Sequence, residues 1–396
     1  MGKTIVFITK SLCYHQVYLA DSLFEIYGSD FHFIQVREPL DFRVKAHQEG
    51  FERPYLTGLA RSEFEFRKSI ELLKRADVII LGEAPYKIYK YFNKNAILLR
   101  YSERIFKPDY DHYSFIKRLK RRLYFLAIKL FPRCKKSYLL ATGAFSPLDY
   151  SKVGLFKNKM ITWGYFPKYE EYNWTDLIQK KKQNDCLNIG WVSRLNSVKH
   201  PFDAISVAKF LSQKNINFKL HLIGDGDEKS GELKEALENE IIKSNLQDFV
   251  IMHGKIPAEE VIEYYQLCDI ALFTSSFSEG WGVGINEAMN AGCAVVSAHS
   301  VGASQIMIKN NENGFIYEFG NTNSLCEIVY DLAINSKKRQ SVGFNAYKTI
   351  LEMWNYKNAA KRLSSLINSL LNGSFVDYLD GPCSKANLLK EDYRNE

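Results

Sequence analysis

Short runs of apolar and β-branched residues recur along the whole chain, and segments with helical periodicity separate them. The run at 78–81 is apolar on both faces, as a strand is when helices cover both sides of a parallel sheet. This alternation predicts an α/β protein, and a length of 396 residues favours two domains over one. The predicted strands lie at 4–9, 31–36, 77–81, 96–100 and 137–141 in the first half, and at 187–192, 218–223, 249–252, 270–273 and 294–297 in the second.

The segment 168–185 is polar and has no strand character, which predicts a linker between a first domain at 1–167 and a second at 186–355. A helical pattern follows at 356–372, and residues 373–396 are expected to form a flexible tail. Open α/β sheets bind ligands at the carboxyl ends of their strands. The sequence therefore predicts a ligand site in a cleft between two such domains.

The stretch SEGWGVGINE places Glu279 and Glu287 eight residues apart, directly after the predicted strand at 270–273. The glycines of Gly282-Val283-Gly284 permit a close approach of the backbone to a ligand, and amides at the start of a helix favour phosphate. Two carboxylates repel phosphate, so they are expected to face neutral hydroxyls instead. That combination indicates a nucleotide sugar. A helix cap in a solvated acidic loop explains the same stretch equally well.

A second stretch ends the predicted strand at 187–192 and carries two fixed positive charges, Arg194 and Lys199. Without a metal, a diphosphate needs such charges, because Arg binds phosphate with two hydrogen bonds and Lys acts as a point charge. Taken alone, the stretch is more typical of an exposed loop with two solvated cations.

Together the two stretches resemble the GT-B glycosyltransferases, and most closely the retaining glycosyltransferase family 4 type. The resemblance rests on GWVSRL at 190–195 followed by Lys199, on the Glu-x7-Glu motif with its FSEGWG core, and on IGDG at 223–226 and MHG at 252–254. It covers roughly residues 186–372. The fold that it implies is GT-B, in which two Rossmann-like doubly wound domains face a central cleft. The helix at 356–372 would then complete the first domain.

The resemblance also implies roles for individual residues. By this resemblance, the catalytic residues would be Arg194, Lys199 and Glu279, which would bind the diphosphate and the sugar of the donor. Glu287 would bind the ribose, and the backbone of Gly282, Val283 and Gly284 would bind the phosphates. Gly224 and Ile256 would line the base pocket.

The implied activity is the transfer of a hexose, with retention of configuration, from a nucleotide sugar, most simply a UDP-sugar. The acceptor would be a glycan or a lipid-linked molecule in surface polysaccharide or glycoconjugate biosynthesis. No cofactor and no metal are expected, because the two cations would replace the metal that Asp-x-Asp motifs hold in another class of glycosyltransferase. A GT-B sugar-nucleotide epimerase and a catalytically silent partner subunit are the alternatives.

The acceptor side is expected in the first domain. The loop at 10–16 lacks the glycines common in the family, which leaves Tyr14 and His15 as expected acceptor contacts. Many relatives present a histidine near the sugar at the end of the strand that corresponds to 96–100, and here Glu103 is the substitute. The simpler interpretation pairs Glu103 with Arg104 or Lys107 at the surface.

Charge is distributed unevenly between the halves. Residues 1–170 hold 30 Lys and Arg against 17 Asp and Glu, whereas the remaining residues hold 23 against 28. The segment 116–136 has nine basic residues and an apolar stripe, which suits an anionic membrane surface or an ordinary solvated helix face. No nucleic-acid module accompanies it. Seven scattered cysteines and the absence of a signal-like apolar stretch at the start predict a cytoplasmic protein, with possible docking at the inner face of the membrane.

Overall fold

The structure is a computed structural model that describes residues 2–38, 52–107, 136–183, 185–226 and 231–392, together with residues 119, 123 and 134. The chain divides into two compact units. The first comprises Met1–Lys168 and Asn355–Lys390, and the second comprises Tyr169–Trp354 and Glu391–Glu396.

The first unit is built on a parallel sheet. Its strands are β1 (Ile5–Thr9), β2 (Phe31–Gln35), β3 (Leu56–Gly58), β4 (Val78–Leu81), β5 (Ile97–Ser102), β6 (Lys136–Thr142) and β7 (Met160–Trp163). They are arranged in the order β3-β2-β1-β4-β5-β6-β7. Its described helices are α1 (Tyr14–Tyr27), α2 (Glu63–Arg75), α3 (Ser146–Lys152) and the last helix of the chain, α12 (Tyr356–Leu371).

Helix α12 belongs to the first unit because its apolar stripe packs on α1. Leu363, Ile367 and Leu370 recur at helical spacing and are buried. The helix begins where the side chain of Asn355 accepts a hydrogen bond from the amide of Asn358, at 2.8 Å. A distant part of the chain therefore completes the first unit by an ordinary amphipathic contact.

The expectation of a flexible tail at 373–396 is wrong for much of that segment. The Cys383 side chain is completely buried, and its amide donates to the carbonyl of Thr162 in β7 at 2.9 Å. The amide of Thr162 in turn donates to the carbonyl of Ser384 at 2.8 Å. Strand β7 is at the edge of the sheet, so the tail satisfies backbone groups that the edge would otherwise expose.

The second unit contains the other parallel sheet. Its strands are β8 (Leu187–Val192), β9 (Phe218–Ile223), β10 (Val250–Gly254), β11 (Ile270–Phe273), β12 (Ala294–Ala298) and β13 (Phe315–Tyr317), in the order β10-β9-β8-β11-β12-β13. Its described helices are α4 (Trp174–Lys181), α5 (Pro201–Gln213), α6 (Gly231–Lys243), α7 (Ala258–Leu267), α8 (Gly284–Asn290), α9 (Ser304–Met307), α10 (Thr322–Ile334) and α11 (Ser336–Glu352). The direction of strand addition reverses between β8 and β11, and such a switch point is where open α/β sheets form a crevice.

The ten strands predicted from the sequence are confirmed, whereas β3, β7 and β13 were not predicted. The predicted linker at 168–185 is wrong for α4, because this helix packs against α7 in the second unit. Within α4, Leu177 and Lys181 are buried. The Lys181 ammonium is satisfied by the carbonyls of Tyr265 and Cys268, which end α7, so a lysine stabilises the carbonyl end of a helix.

In the part of the chain that the structure describes, no helix combines the length and apolar character needed to cross a membrane. Nearly all of the basic segment at 116–136 lies outside the described residues, so the proposed membrane contact stays a prediction.

A chain of polar side chains crosses three strands of the second unit. The two imidazoles of His221 and His253 are 3.0 Å apart, His221 is 3.1 Å from the side-chain oxygen of Asn188, and His253 is 3.2 Å from the hydroxyl of Tyr264. Burial lowers the pKa of His221 to about 4, with the neighbouring His253 and Lys219 adding to the shift. Burial also lowers the pKa of His253. Both rings are therefore neutral in the folded protein near pH 7, and each can donate along the chain.

These two histidines predict a loss of stability in mild acid. An unfolded histidine takes up a proton below about pH 6.5, whereas folded His221 resists protonation until about pH 4. Its stabilising contribution is complete above pH 6.5 and disappears as the pH falls towards 4. We expect the urea midpoint to fall between pH 7 and pH 5 and to fall less in His221→Gln. The control is His200→Gln, because His200 is not part of this row of hydrogen-bonded side chains. An equal fall of the urea midpoint with pH in wild type and in His221→Gln would contradict the prediction.

Candidate functional site

A pocket of about 210 Å³ opens in the second unit where β8 and β11 end. This position is the switch point of the sheet. The pocket is lined by Trp191, Val192, Ser193, Lys199, Tyr265, Leu272, Phe273, Thr274, Ser275, Glu279, Gly282, Val283, Gly284, Glu287 and Val301. It therefore brings together Lys199, both glutamates of the Glu-x7-Glu motif and the residues 282–284 between them.

Buried hydrogen bonds connect the loops that follow β8 and β11. The indole N–H of Trp191 donates to the hydroxyl of Thr274 at 2.9 Å, and this hydroxyl donates to the carbonyl of Lys199 at 2.6 Å. The amide of Ser276 donates to the carbonyl of Val198 at 2.8 Å. Every polar group in this short network has a partner, so the backbone of Lys199 is fixed relative to β11.

The side chains of Lys199 and Glu279 form an ion pair across the pocket, and each is less than one-fifth exposed. Glu279 is held by a turn in which its amide donates to the carbonyl of Ser276 at 3.0 Å. The pair neutralises both charges in the free protein. A ligand with an anionic part and a hydroxyl-bearing part can replace this ion pair. Its anion would pair with the lysine, and its hydroxyls would donate hydrogen bonds to the glutamate.

The loop between the two glutamates is anchored by Trp281, which is completely buried. Its indole N–H donates to the side-chain oxygen of Asn286 in α8 at 2.9 Å, and its ring lies 5.7 Å from that of Trp354. Gly282 has φ of +88°, and a Cβ there would lie 2.6 Å from Cγ1 of Val301. Glycine is thus required at this position by both backbone conformation and space.

The turn into α8 uses some backbone amides and leaves others available. The amides of Ile285 and Asn286 donate to the carbonyls of Gly282 and Val283, both at 3.0 Å. Within the described residues, the amides of Val283 and Gly284 have no acceptor. These two N–H groups are donors that a ligand in the pocket could use.

Glu287 lies in the first turn of α8 and lines the pocket. Burial raises the pKa of Glu287 to about 7. Its carboxyl is therefore close to equal protonated and ionised populations at neutral pH. A hydroxyl that donates to this group would favour the ionised form.

Three predicted site residues do not line this pocket. Arg194 is exposed on the loop after β8, and Ile256 is partly buried after β10. Gly224 packs so closely that an added Cβ would lie 1.9 Å from the carbonyl oxygen of Ser193. Its amide also donates to the carbonyl of Gly254 at 2.8 Å. Glycine at 224 is therefore explained by the packing of two loops.

In the first unit, the predicted acceptor-side residues His15 and Glu103 lie close to a residue that the sequence did not indicate, Tyr165. The Tyr165 hydroxyl donates to Glu103 at 2.7 Å, and its ring centroid is 4.1 Å from that of His15. Glu103 also pairs with Lys107 at 3.1 Å, as the simpler interpretation expected. Tyr14 instead packs edge-on against Tyr18, at 6.0 Å.

The environment of Glu103 keeps it ionised. Burial alone would raise its pKa, but the charge of Lys107, the hydroxyl of Tyr165 and the charge of His15 together lower the pKa below its usual value. The Cys13 thiol lies 3.3 Å from Nε2 of His15 and 3.2 Å from the side-chain oxygen of Gln16. The end of β1 therefore carries a polar cluster. Sequence reasoning missed Cys13 and Tyr165 because neither belongs to a motif.

Residues 174–349 match the model of the family described as glycosyl transferases group 1. This match covers most of the second unit and less than half of the whole chain. Among curated relatives, the chain is 25% identical over 242 residues to a capsular polysaccharide biosynthesis glycosyltransferase of Staphylococcus aureus, covering 60% of this chain and 57% of the relative. It is 29% identical over 189 residues to an amylovoran biosynthesis glycosyltransferase of Erwinia amylovora, covering 46% and 45%. The chain thus spans about half the length of these relatives.

Solved structures share the fold of the two units. The Anabaena protein HepE, in complex with UDP and glucose, matches 93% of this chain and 100% of its own with a TM-score of 0.66 and 17% identity. A glycosyltransferase of Rickettsia africae matches 94% of this chain and 100% of its own with a TM-score of 0.66 and 15% identity. The predicted fold class is confirmed: both units are Rossmann-like, and the fold is GT-B.

Within the described ranges, no three His, Cys, Asp or Glu side chains are grouped as metal ligands would be. The sequence has two Asp-x-Asp stretches, at 109–111 and at 225–227. Of their aspartates, Asp109, Asp111 and Asp227 lie outside the described ranges.

Gly284→Ala tests whether the pocket is the ligand site. The new methyl group would lie 3.0 Å from Cε1 of Phe273 and 3.1 Å from the hydroxyl of Tyr265, so it fills the pocket floor. We expect the affinity for UDP, measured by calorimetry, to fall about tenfold. In the control Gly231→Ala, the methyl group meets nothing within 4 Å. Unchanged affinity in Gly284→Ala would place the ligand elsewhere.

Proposed function

We propose that the chain is a glycosyltransferase that moves a hexose from a nucleotide sugar to a glycan or lipid-linked acceptor in polysaccharide biosynthesis. One observation carries the proposal: in the region that matches the group 1 family, one pocket at the switch point is lined by Lys199, Glu279, Glu287 and two amides without an acceptor in the described residues. The relatives named for capsule and amylovoran synthesis support the polysaccharide assignment. The HepE complex with UDP and glucose supports a UDP-linked donor.

The donor is proposed to break the ion pair between Lys199 and Glu279 when it binds. Its diphosphate then contacts Lys199 and the amides of Val283 and Gly284, and hydroxyls of the donor sugar donate hydrogen bonds to Glu279. The ribose hydroxyls are assigned to Glu287. Arg194 is exposed on the loop that carries Lys199, and we assign it as the second cation of the diphosphate. Two cations and two amides supply the charge stabilisation that a metal provides elsewhere, so activity is expected to survive EDTA.

In the proposed reaction, the bond between the anomeric carbon and the diphosphate oxygen breaks. A bond to the acceptor oxygen forms on the same face of the ring, and the acceptor proton passes to an oxygen of the leaving diphosphate. Negative charge develops on the diphosphate, and Lys199 stabilises it. Glu279 is paired with a cation, which makes it a weak nucleophile, so no covalent glycosyl-enzyme intermediate is invoked. Closure of the site around the donor would limit hydrolysis.

The direct test is a panel of nucleotide sugars assayed by nucleotide release, with and without a membrane extract as the source of acceptor. Release that depends on the extract with one donor is the expected result. Turnover of a nucleotide sugar without acceptor would indicate an epimerase or a hydrolase instead.

Lys199→Ala is expected to lower the rate of transfer about a hundredfold, because the leaving diphosphate loses a buried positive partner. Lys209→Ala is the matched control, since it also breaks a lysine–glutamate pair in the second unit, with Glu240, between α5 and α6. The control is expected to keep full activity. Nearly equal rates of transfer in the two variants would show that Lys199 has no role in the reaction.

The pKa of Glu287 predicts how nucleotide binding depends on pH. Its carboxylate is the form that accepts a hydrogen bond from a ribose hydroxyl, and its pKa is about 7 in the free protein. We expect UDP affinity to rise between pH 6 and pH 8 more steeply in wild type than in Glu287→Gln. The phosphate of UDP titrates in both proteins, so the difference between the two curves isolates the side chain. Parallel curves would contradict the assignment.

A further inference from the structure

The hydroxyl of Tyr265 is a buried polar group for which the described residues provide no partner. The side chain is fully buried, lines the pocket, and makes no hydrogen bond through its hydroxyl within the described residues. A buried hydroxyl without a partner is unfavourable, and such groups in folded proteins call for a specific explanation.

The tyrosine is held rigidly in this position. Its carbonyl accepts hydrogen bonds from the ammonium of Lys181 at 3.1 Å and from the thiol of Cys293 at 3.1 Å. The buried lysine on α4 fixes the backbone at the end of α7, and complete burial of the ring restricts its rotation. The hydroxyl therefore has a defined place in the wall of the pocket.

The backbone of Gly284 packs closely beside this hydroxyl, where a larger residue would crowd it. A Cβ at Gly284 would lie 3.1 Å from the Tyr265 hydroxyl oxygen and 3.0 Å from the ring of Phe273. Leu272 and Trp191 also line the pocket, so the tyrosine lies in a wall that is partly apolar.

An acceptor lies in the same pocket. Within the described part of the chain, the Glu287 carboxyl receives no hydrogen bond, and it also lines this volume. Burial, and then the nearby charge of Glu287, hold the pKa of Tyr265 well above its usual value. The tyrosine hydroxyl is therefore a neutral donor, and Glu287 is an acceptor.

We propose that Tyr265 and Glu287 together bind one hydroxyl of the ligand, and we call this pair of residues the socket. The ligand hydroxyl donates a hydrogen bond to the Glu287 carboxylate and accepts one from the Tyr265 hydroxyl. This inference rests on the proposed function, in which the ligand is a nucleotide sugar and the hydroxyl belongs to its ribose. Tyr265 then determines specificity by favouring ribonucleotides over deoxyribonucleotides. A ligand without the hydroxyl leaves the tyrosine and the glutamate without hydrogen-bond partners. Such a loss penalises the deoxyribonucleotide strongly relative to the ribonucleotide.

The experiment is calorimetric titration of the full chain with UDP, 2′-deoxy-UDP and 3′-deoxy-UDP. Wild type is expected to bind UDP at least tenfold more tightly than one of the two analogues. Tyr265→Phe is expected to lose at least tenfold in UDP affinity and to lose the preference for UDP over that analogue. Its melting temperature is expected to be equal to or above that of wild type, because the substitution removes only an unpaired buried hydroxyl.

Tyr264→Phe is the matched control, because it removes the neighbouring hydroxyl, which contacts His253 and does not line the pocket. It is expected to bind all three nucleotides as wild type does. With the donor found in the panel, Tyr265→Phe is expected to raise KM and leave kcat nearly unchanged, because a ribose contact is the same in ground and transition states.

The outcomes separate the two proposals. Wild-type affinity and discrimination in Tyr265→Phe would overturn the socket while leaving the proposed function intact. Equal binding of UDP and both analogues by wild type would overturn the socket even if the variant failed to fold. Failure of wild type to bind UDP or any other ribonucleoside diphosphate would overturn the proposed function, and the socket with it.

Discussion

The pocket of the second unit depends on the hydroxyl of Thr274, which is almost completely buried and bonded on both sides. It accepts from Trp191 at the end of β8 and donates to the carbonyl of Lys199 in the loop beyond. Chain connections leave β8 and β11 in opposite directions at the switch point, which opens a crevice between their ends. The hydroxyl bridges that crevice at its base. A cation from one loop and a carboxylate from the other consequently meet across the space that remains.

The charges in the pocket are arranged to be nearly balanced in the absence of a ligand. Lys199 and Glu279 neutralise each other, and burial raises the pKa of Glu287 to about 7. Charges removed from water are costly unless they are paired or neutralised. Under the proposed function, the same balance would make the pocket selective, because a ligand must replace the ion pair with two new partners of opposite character. A diphosphate bonded to a sugar is one such ligand, and a simple anion satisfies only the lysine.

The outcome for each sequence-based assignment has a physical cause. Lys199, Glu279 and Glu287 line one pocket, because each follows or begins an element at the carboxyl edge of a parallel sheet. Arg194 follows the same strand, but its side chain is exposed, and strand order does not fix the direction of a loop side chain. Polarity suggested a linker at 168–185 and a loose tail after 372. Both inferences failed where a few residues, such as Leu177 and Cys383, are buried by distant segments.

The sequence by itself determined the order of strands and helices, the two-sheet architecture and the loops that line the pocket. Apolar runs and glycine positions are local properties, and backbone sterics translate them directly into elements and turns. Only the tertiary structure decided which of two adjacent tyrosines serves the pocket. Tyr264 and Tyr265 are equivalent in the helical pattern of α7 but point about 100° apart around its axis. The packing of α7 on the sheet turns the first towards His253 and the second into the pocket. Because Gly284 has no side chain, its backbone can pack beside that second hydroxyl.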